Sequence, residues 1–172
     1  KLTVNGAGYV PISRDVTERK DAEARQSLLI RELQHRAKNL LAVVQSIVTN
    51  TLRNSKDMHT VNETISGRLQ ALARAQEFIA AGPGGGVPIG EIVEAELIAF
   101  GGRVTISGPV LIAGTAFAQM FAIVVHELAT NATKYGSLSV PDGRVDVGWM
   151  VADEANLLFS WKERFFTDAA TT

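Results

Sequence analysis

Four side chains in this 172-residue sequence have types and spacings that could do chemistry: His35, Glu127, Asn131 and Glu163. His35 lies in a stretch from Asp15 to Asn54 with neither glycine nor proline. A neutral imidazole is a good nucleophile near neutral pH, provided that its ring is exposed. At about 100° per residue, Leu29, Leu33, Leu40, Val44, Ile47 and Thr51 fall on one stripe, widened by Leu41, Val48 and Leu52. His35 falls nearly opposite, with Arg31, Asn39, Ala42, Ser46 and Thr49, so the ring should meet solvent while the leucines pack. An ordinary surface histidine is the plainer alternative. Glu127 and Asn131 are four residues apart on a helix pattern and share a face. Their oxygens suit a hard cation such as Mg²⁺, Asn131 as a direct ligand and Glu127 through a bound water. Lys134 follows three residues later and could meet an anion as a point charge. A solvated helix face ending at Gly136 would carry the same residues. His126, beside apolar Val124 and Val125, fits a satisfied half-buried histidine as well as an anion contact. The alternation Leu157, Phe159, Trp161, Glu163 puts Trp161 and Glu163 on one face of a strand. A core tryptophan beside a surface glutamate would read the same way.

These residues need particular elements to hold them. Residues 1–14 read as a short strand with a glycine turn, and Asp15 or Thr17 can cap the long helix that runs to about Asn54. Polar residues 55–60 form a turn. A second helix, Val61–Ala80, carries Ile65, Leu69, Leu72, Gln76 and Ile79 on one face, which makes an antiparallel hairpin. Two such hairpins would build a four-helix bundle. Ala81–Gly86 is a flexible, glycine-rich linker. Beyond it the pattern predicts a helix over Pro88–Phe100, short strands at Arg103–Ser107 and Val110–Ala113, and a helix over Thr115–Tyr135 capped by Thr115 and stopped by Gly136. Strands at Arg144–Val151 and Asn156–Lys162 follow, giving an α+β layer with helices on one face of a mixed sheet.

The bulk properties narrow the function classes. A net charge of −1 gives no sign of bulk nucleic-acid binding. The absence of cysteine rules out disulfides and thiolate metal sites and fits a reducing, cytoplasmic setting. No apolar run approaches the roughly 20 residues of a membrane helix. Lys1–Val10 lacks the apolar stretch of a signal peptide. The chain opens without an initiator methionine, so flanking parts are expected.

Three segments carry a family likeness. Glu32-Leu33-Gln34-His35-Arg36-Ala37-Lys38-Asn39-Leu40-Leu41 resembles the phosphoacceptor box of the HWE histidine kinases. His126-Glu127-Leu128-Ala129-Thr130-Asn131-Ala132-Thr133-Lys134-Tyr135-Gly136 resembles their N box, and Trp161-Lys162-Glu163 their tryptophan-x-glutamate motif. Arg14–Lys20 also resembles the exit of a PAS or LOV sensor domain into its signalling helix. The resemblance implies three parts: a sensor remnant over 1–16, a helical hairpin for dimerisation and phosphotransfer over 17–81, and a two-layer α/β sandwich of GHKL ATPase type over 82–172. It implies ATP and Mg²⁺ as cofactors and His35 as phosphoacceptor. Asn131 would be the Mg²⁺ ligand and Glu127 its helper. Lys134 and His126 would stand near phosphate, Tyr135 and Trp161 near the nucleotide, and Glu163 at the adenine amino group. The implied partners are a response-regulator receiver domain, an upstream sensor, and a second copy of the chain through the hairpin, although monomers fit the family too. Arg36 stands where other histidine kinases place an acid, so no general base is evident; Arg36 or Lys38 could steer phosphate instead. After Glu163 the family continues into glycine-rich boxes and a lid, whereas this chain reads Arg164-Phe165-Phe166-Thr167-Asp168. Either the lid and glycine boxes lie outside this sequence, the reading that intact Glu127, Asn131 and Glu163 favour, or the ATP domain has decayed, which makes a phosphotransfer scaffold the rival to an active kinase.

Overall fold

The structure is a computed structural model and describes residues 12–54, 57–82, 86–153 and 156–165. The chain divides into two compact units, Lys1–Thr49 and Asn50–Thr172.

The described part of the first unit is helical. Helix α1 spans Ile12–Asn54 and crosses the division near its end. The strand expected over 1–14 lies outside the described residues as far as residue 11, and from Ile12 the backbone is already helix. Asp15 and Thr17 are thus internal to α1 and are not its caps. The reason is the absence of any breaker after Pro11, so the helical pattern extends back to the proline. His35 is exposed, as its position opposite the stripe requires. The leucines differ from the expectation. Leu29 is 59% exposed and Leu33 65%, whereas Ile47 and Thr51, further along the same stripe, are buried.

The second unit is an α+β fold. Helix α2 (Met58–Ala81) starts three residues earlier than the pattern suggested, since Asp57 caps it. The Asp57 carboxylate accepts from the Thr60 N–H and hydroxyl, both at 3.0 Å. The short strand β1 (Val87–Pro88) follows, then α3 (Ile89–Leu97) and a 3₁₀ segment, Ile98–Arg103. The predicted single helix over 88–100 is therefore split between a strand, a helix and a tighter turn. Strands β2 (Val104–Ser107) and β3 (Ile112–Ala113) precede α4 (Thr115–Lys134), and β4 (Arg144–Asp153) and β5 (Asn156–Arg164) close the described chain. The N-cap position of α4 is Gly114, with Thr115 the first helical residue, one position away from the predicted cap.

The sheet is mixed. β2 pairs parallel with β4, and β4 pairs antiparallel with β5, in the order β2-β4-β5; β1 and β3 form a separate antiparallel pair. On β4, Val145, Val147 and Trp149 alternate inward. They join Ile89, Ile92, Val93 and Leu97 of α3 and the apolar face of α4 in one core, which Ala75 and Ile79 of α2 extend. Phe121 on α4 meets Phe159 on β5 edge to face at 5.2 Å. Truncating a fully packed residue should leave a void that the layers cannot close. Leu97→Ala is expected to cost about 2–5 kcal/mol in urea unfolding, with little change in the far-ultraviolet dichroism of the folded protein.

Candidate functional site

Helix α4 presents two different faces. Ala118, Ala122, Val125, Ala129 and Ala132 recur at helical spacing and are buried, so this face lies close against the core. The polar row Glu127, Asn131, Lys134 runs beside it, with His126 and Thr130 adjacent. Helix α2 faces this row. A cavity of about 200 Å³ between the two helices is lined by Glu63 and Thr64 of α2 and by Glu127, Asn131 and Lys134 of α4, with Tyr135 at its edge. Asn131 is exposed toward it, and Tyr135 is 82% exposed.

Two charged nodes tie α2 to this helix. At the first, Arg68 Nε donates to Glu127 Oε1 at 2.7 Å, and Arg68 Nη1 donates to Thr51 Oγ1 at 2.7 Å. The hydrogen bond from Arg68 holds the Glu127 carboxyl below its ordinary value, against a smaller opposing effect of burial. Lys134 Nζ lies 3.9 Å from Glu63 Oε2 on α2. At the second node, Glu96 of α3 is the centre. Its side chain is only 4% exposed. Oε1 accepts from Arg74 Nε at 2.9 Å and Nη2 at 2.5 Å, and Oε2 faces His126 Nδ1 at 2.9 Å. Burial pushes the Glu96 carboxyl up, but the hydrogen bonds from His126 and Arg74 outweigh it and leave the group below 4.5. The Nε2 atom of His126 points at α2: a Cβ on Gly67 would lie 2.5 Å from it. A glycine is needed there because the imidazole is held from behind by Glu96 and has no room to retreat.

Glu163 sits past the end of α4. Its Oε2 accepts from the Ser137 N–H at 2.6 Å, and Trp161 Nε1 donates to Oε1 at 3.3 Å, so the two side chains do share a face of β5. Gly136 permits this approach, since a Cβ there would lie 2.0 Å from Glu163 Oε2 and 2.7 Å from Ala132 Cα. A carboxylate has about four acceptor positions, so Glu163 keeps capacity for a further donor. On α1, the His35 Nδ1 atom lies 3.4 Å from the Asn39 amide nitrogen, which leaves Nε2 without a protein partner among the described residues. Arg36 is paired with Glu32 at 2.5 Å, one turn back.

The polar row and its surroundings therefore bring together His126, Glu127, Asn131, Lys134 and Tyr135, while Trp161 and Glu163 stand on β5, with Glu163 reaching the turn after α4. Sequence reading passed over Arg68, Arg74, Glu96 and Gly67. Two signals were present: a glycine in the middle of a helix, which costs about 1 kcal/mol relative to alanine, and an acid, Glu96, set between the apolar Val93 and Leu97.

Known proteins resemble this chain in fold and in sequence. The solved blue-light activated histidine kinase of Erythrobacter litoralis, EL346, superposes with a TM-score of 0.50 over 77% of this chain and 49% of that one, at 18% sequence identity, a likeness of fold. The family model for HWE histidine kinases matches residues 32–110. A "Blue-light-activated histidine kinase" of Brucella anthropi is 43% identical over 143 residues, which is 81% of this chain and 29% of that protein. Its namesake in Brucella ovis is 39% identical over 157 residues, 89% of this chain and 32% of that protein. Residues 32–110 of this chain match the HWE histidine kinase family, and the chain spans about a third of the length of the curated relatives it matches.

The depressed carboxyl of Glu96 sets a pH dependence. Its contribution to stability is present above the unfolded carboxyl value of 4.5 and is lost as pH falls through the lower folded value. The stability difference between wild type and Glu96→Gln, followed by urea unfolding from pH 7 to pH 3, is expected to shrink steadily below about pH 5. A difference that stays constant over that range would contradict the assignment.

Proposed function

We propose that this chain is the core of a sensor histidine kinase that transfers the γ-phosphoryl group of ATP to His35 and then to an aspartate of a response-regulator receiver domain. The second unit would be its ATP-binding domain, of GHKL type. In the first step an imidazole nitrogen of His35 attacks the γ-phosphorus in line, the bond to the β-phosphate oxygen breaks, ADP leaves, and the imidazolium proton passes to solvent. The exposed ring, with one nitrogen beside Asn39 and the other unpartnered, supports this role.

The donor set suits Mg²⁺. Among the described residues no group of three or more acidic, histidine or cysteine side chains could hold a metal by itself. A Mg²⁺ that arrives with nucleotide phosphates needs only one or two protein oxygens and keeps its waters. Asn131 and Glu127, four residues apart beside the cavity, supply that number. When bound, the ion neutralises charge on the phosphates. Lys134 stands on the same row for the phosphate oxygens, and the free acceptor positions of Glu163 suit an adenine amino group.

The exposed leucine stripe of α1 supports a second copy of the chain as partner, in a bundle of paired helices. No helix among the described residues is long and apolar enough to cross a membrane. The relatives named as blue-light-activated support a light-sensing domain of PAS or LOV type ahead of α1. A phosphotransfer scaffold without ATP chemistry is the second reading, favoured by the pairing of Glu127 with Arg68 in this structure.

The observation that carries the kinase reading is the exposed histidine in the matched family segment together with the Glu127–Asn131 row. Incubation with labelled ATP tests it. Wild type should become labelled, and His35→Ala should abolish labelling. Asn131→Ala should lower the rate by about a hundredfold or more, the scale on which loss of an electrostatic contact to the reacting group is felt. Unlabelled wild type that still accepts phosphate on His35 from a phosphorylated receiver domain would establish the scaffold instead.

A further inference from the structure

Glu127 is both the acidic member of the polar row and the partner of a cation from another helix. Arg68 reaches it from α2 at 2.7 Å and is braced on its other side by Thr51 Oγ1, also at 2.7 Å. Thr51 lies in the last turn of α1, the helix that carries His35. The guanidinium is therefore held at two points, and the Glu127 carboxylate is turned toward α2. Close contact of α2 with α4 at Gly67 and His126, one residue away, keeps the arginine within reach. The pair is only partly buried, with side-chain exposures of 21% for Arg68 and 35% for Glu127, so water and ions can compete for it.

We propose that Arg68 is a positioning residue for the nucleotide site: it competes with the Mg²⁺–nucleotide complex for the Glu127 carboxylate, so that the Arg68–Glu127 pair weakens Mg²⁺–nucleotide binding. This rests on the reading of Glu127 as part of the Mg²⁺–nucleotide site. The guanidinium takes Glu127 Oε1, and the carboxylate charge that the pair neutralises is no longer fully available to a metal-bound water beside Asn131. Nucleotide arriving with its cation must compete with the arginine, and this competition lowers the apparent affinity. Because Thr51 braces the same arginine, release of Glu127 also loosens a contact with the end of the histidine-bearing helix.

The test is titration of the protein with the fluorescent analogue trinitrophenyl-ATP, once with Mg²⁺ and once with EDTA, for wild type, Arg68→Gln and Arg68→Lys. The readout is the ratio of the two affinities, which a general loss of packing would not raise; Thr51→Val, which keeps the charge and loosens the pair, separates competition for Glu127 from simple loss of positive charge. Arg68→Gln is expected to raise the Mg²⁺-dependent ratio by roughly three- to tenfold, with Arg68→Lys between it and wild type. Should Arg68→Gln be poorly folded, Thr51→Val removes the brace while keeping the charge and should raise the ratio in the same direction. An unchanged or lower ratio, in proteins that do bind the Mg²⁺ complex, overturns the role of Arg68 and leaves the site reading standing. Absence of Mg²⁺-dependent binding in all of them overturns the site reading, and this inference with it.

Discussion

The packing of α4 constrains everything around it. Its alanines at 118, 122, 129 and 132 have almost no exposed surface, and with Val125 they bring the helix backbone close to the core. Small residues at helical spacing leave little freedom of rotation or slide, since any turn of the helix would drive a Cβ into a neighbour. The row Glu127, Asn131, Lys134 is fixed by that constraint as firmly as the core itself. The nucleotide and cation site proposed for this row would need such rigidity, because an error of about 1 Å in a ligand's position is felt in catalysis.

The same constraint explains the polar network behind the row. His126 is one step around the helix from the alanine stripe, too close to the core to reach bulk water freely. It is satisfied by Glu96, and Glu96 is in turn satisfied by Arg74. The chain of contacts runs from α3 through α4 to α2, so each member orients the next. The histidine conserves its geometry by facing inward to a carboxylate, and its other nitrogen abuts Gly67.

Much of this was legible in the sequence, and the parts that were not have physical reasons. The long helices, the mixed sheet and the shared face of Trp161 and Glu163 follow from periodicities of 3.6 and 2. Helix ends were misplaced at Asp57, Gly114 and Ile12, where single residues decide and the pattern does not. Gly136 was read as a helix stop for reasons of backbone conformation, yet its φ is −110°, which any residue can adopt. Its real constraint is the Glu163 carboxylate, 26 residues further on than Ser137, which no local pattern reports. Arg68 and Glu127 are 59 residues apart, and the same limit hid them. The exposed leucines of α1 mark another limit: amphipathicity says that a face wants to be covered, and says nothing about what covers it.

The two carboxylates that tie α2 to the rest of its unit differ in a way that separates architecture from regulation. Glu96 is nearly inaccessible and receives three hydrogen bonds from two side chains, so removing a partner would strand a buried charge, a loss of about 3–5 kcal/mol. Glu127 is a third exposed and has one guanidinium partner, and pairs of that kind contribute about 1 kcal/mol or less. The proposed competition for Glu127 would have to offset only the smaller of these figures. The Glu96 node can therefore keep α2 docked while the Glu127 node opens and closes. A local exchange of partners at Glu127 does not require the helices to separate, and the fold need not change for the site to do so.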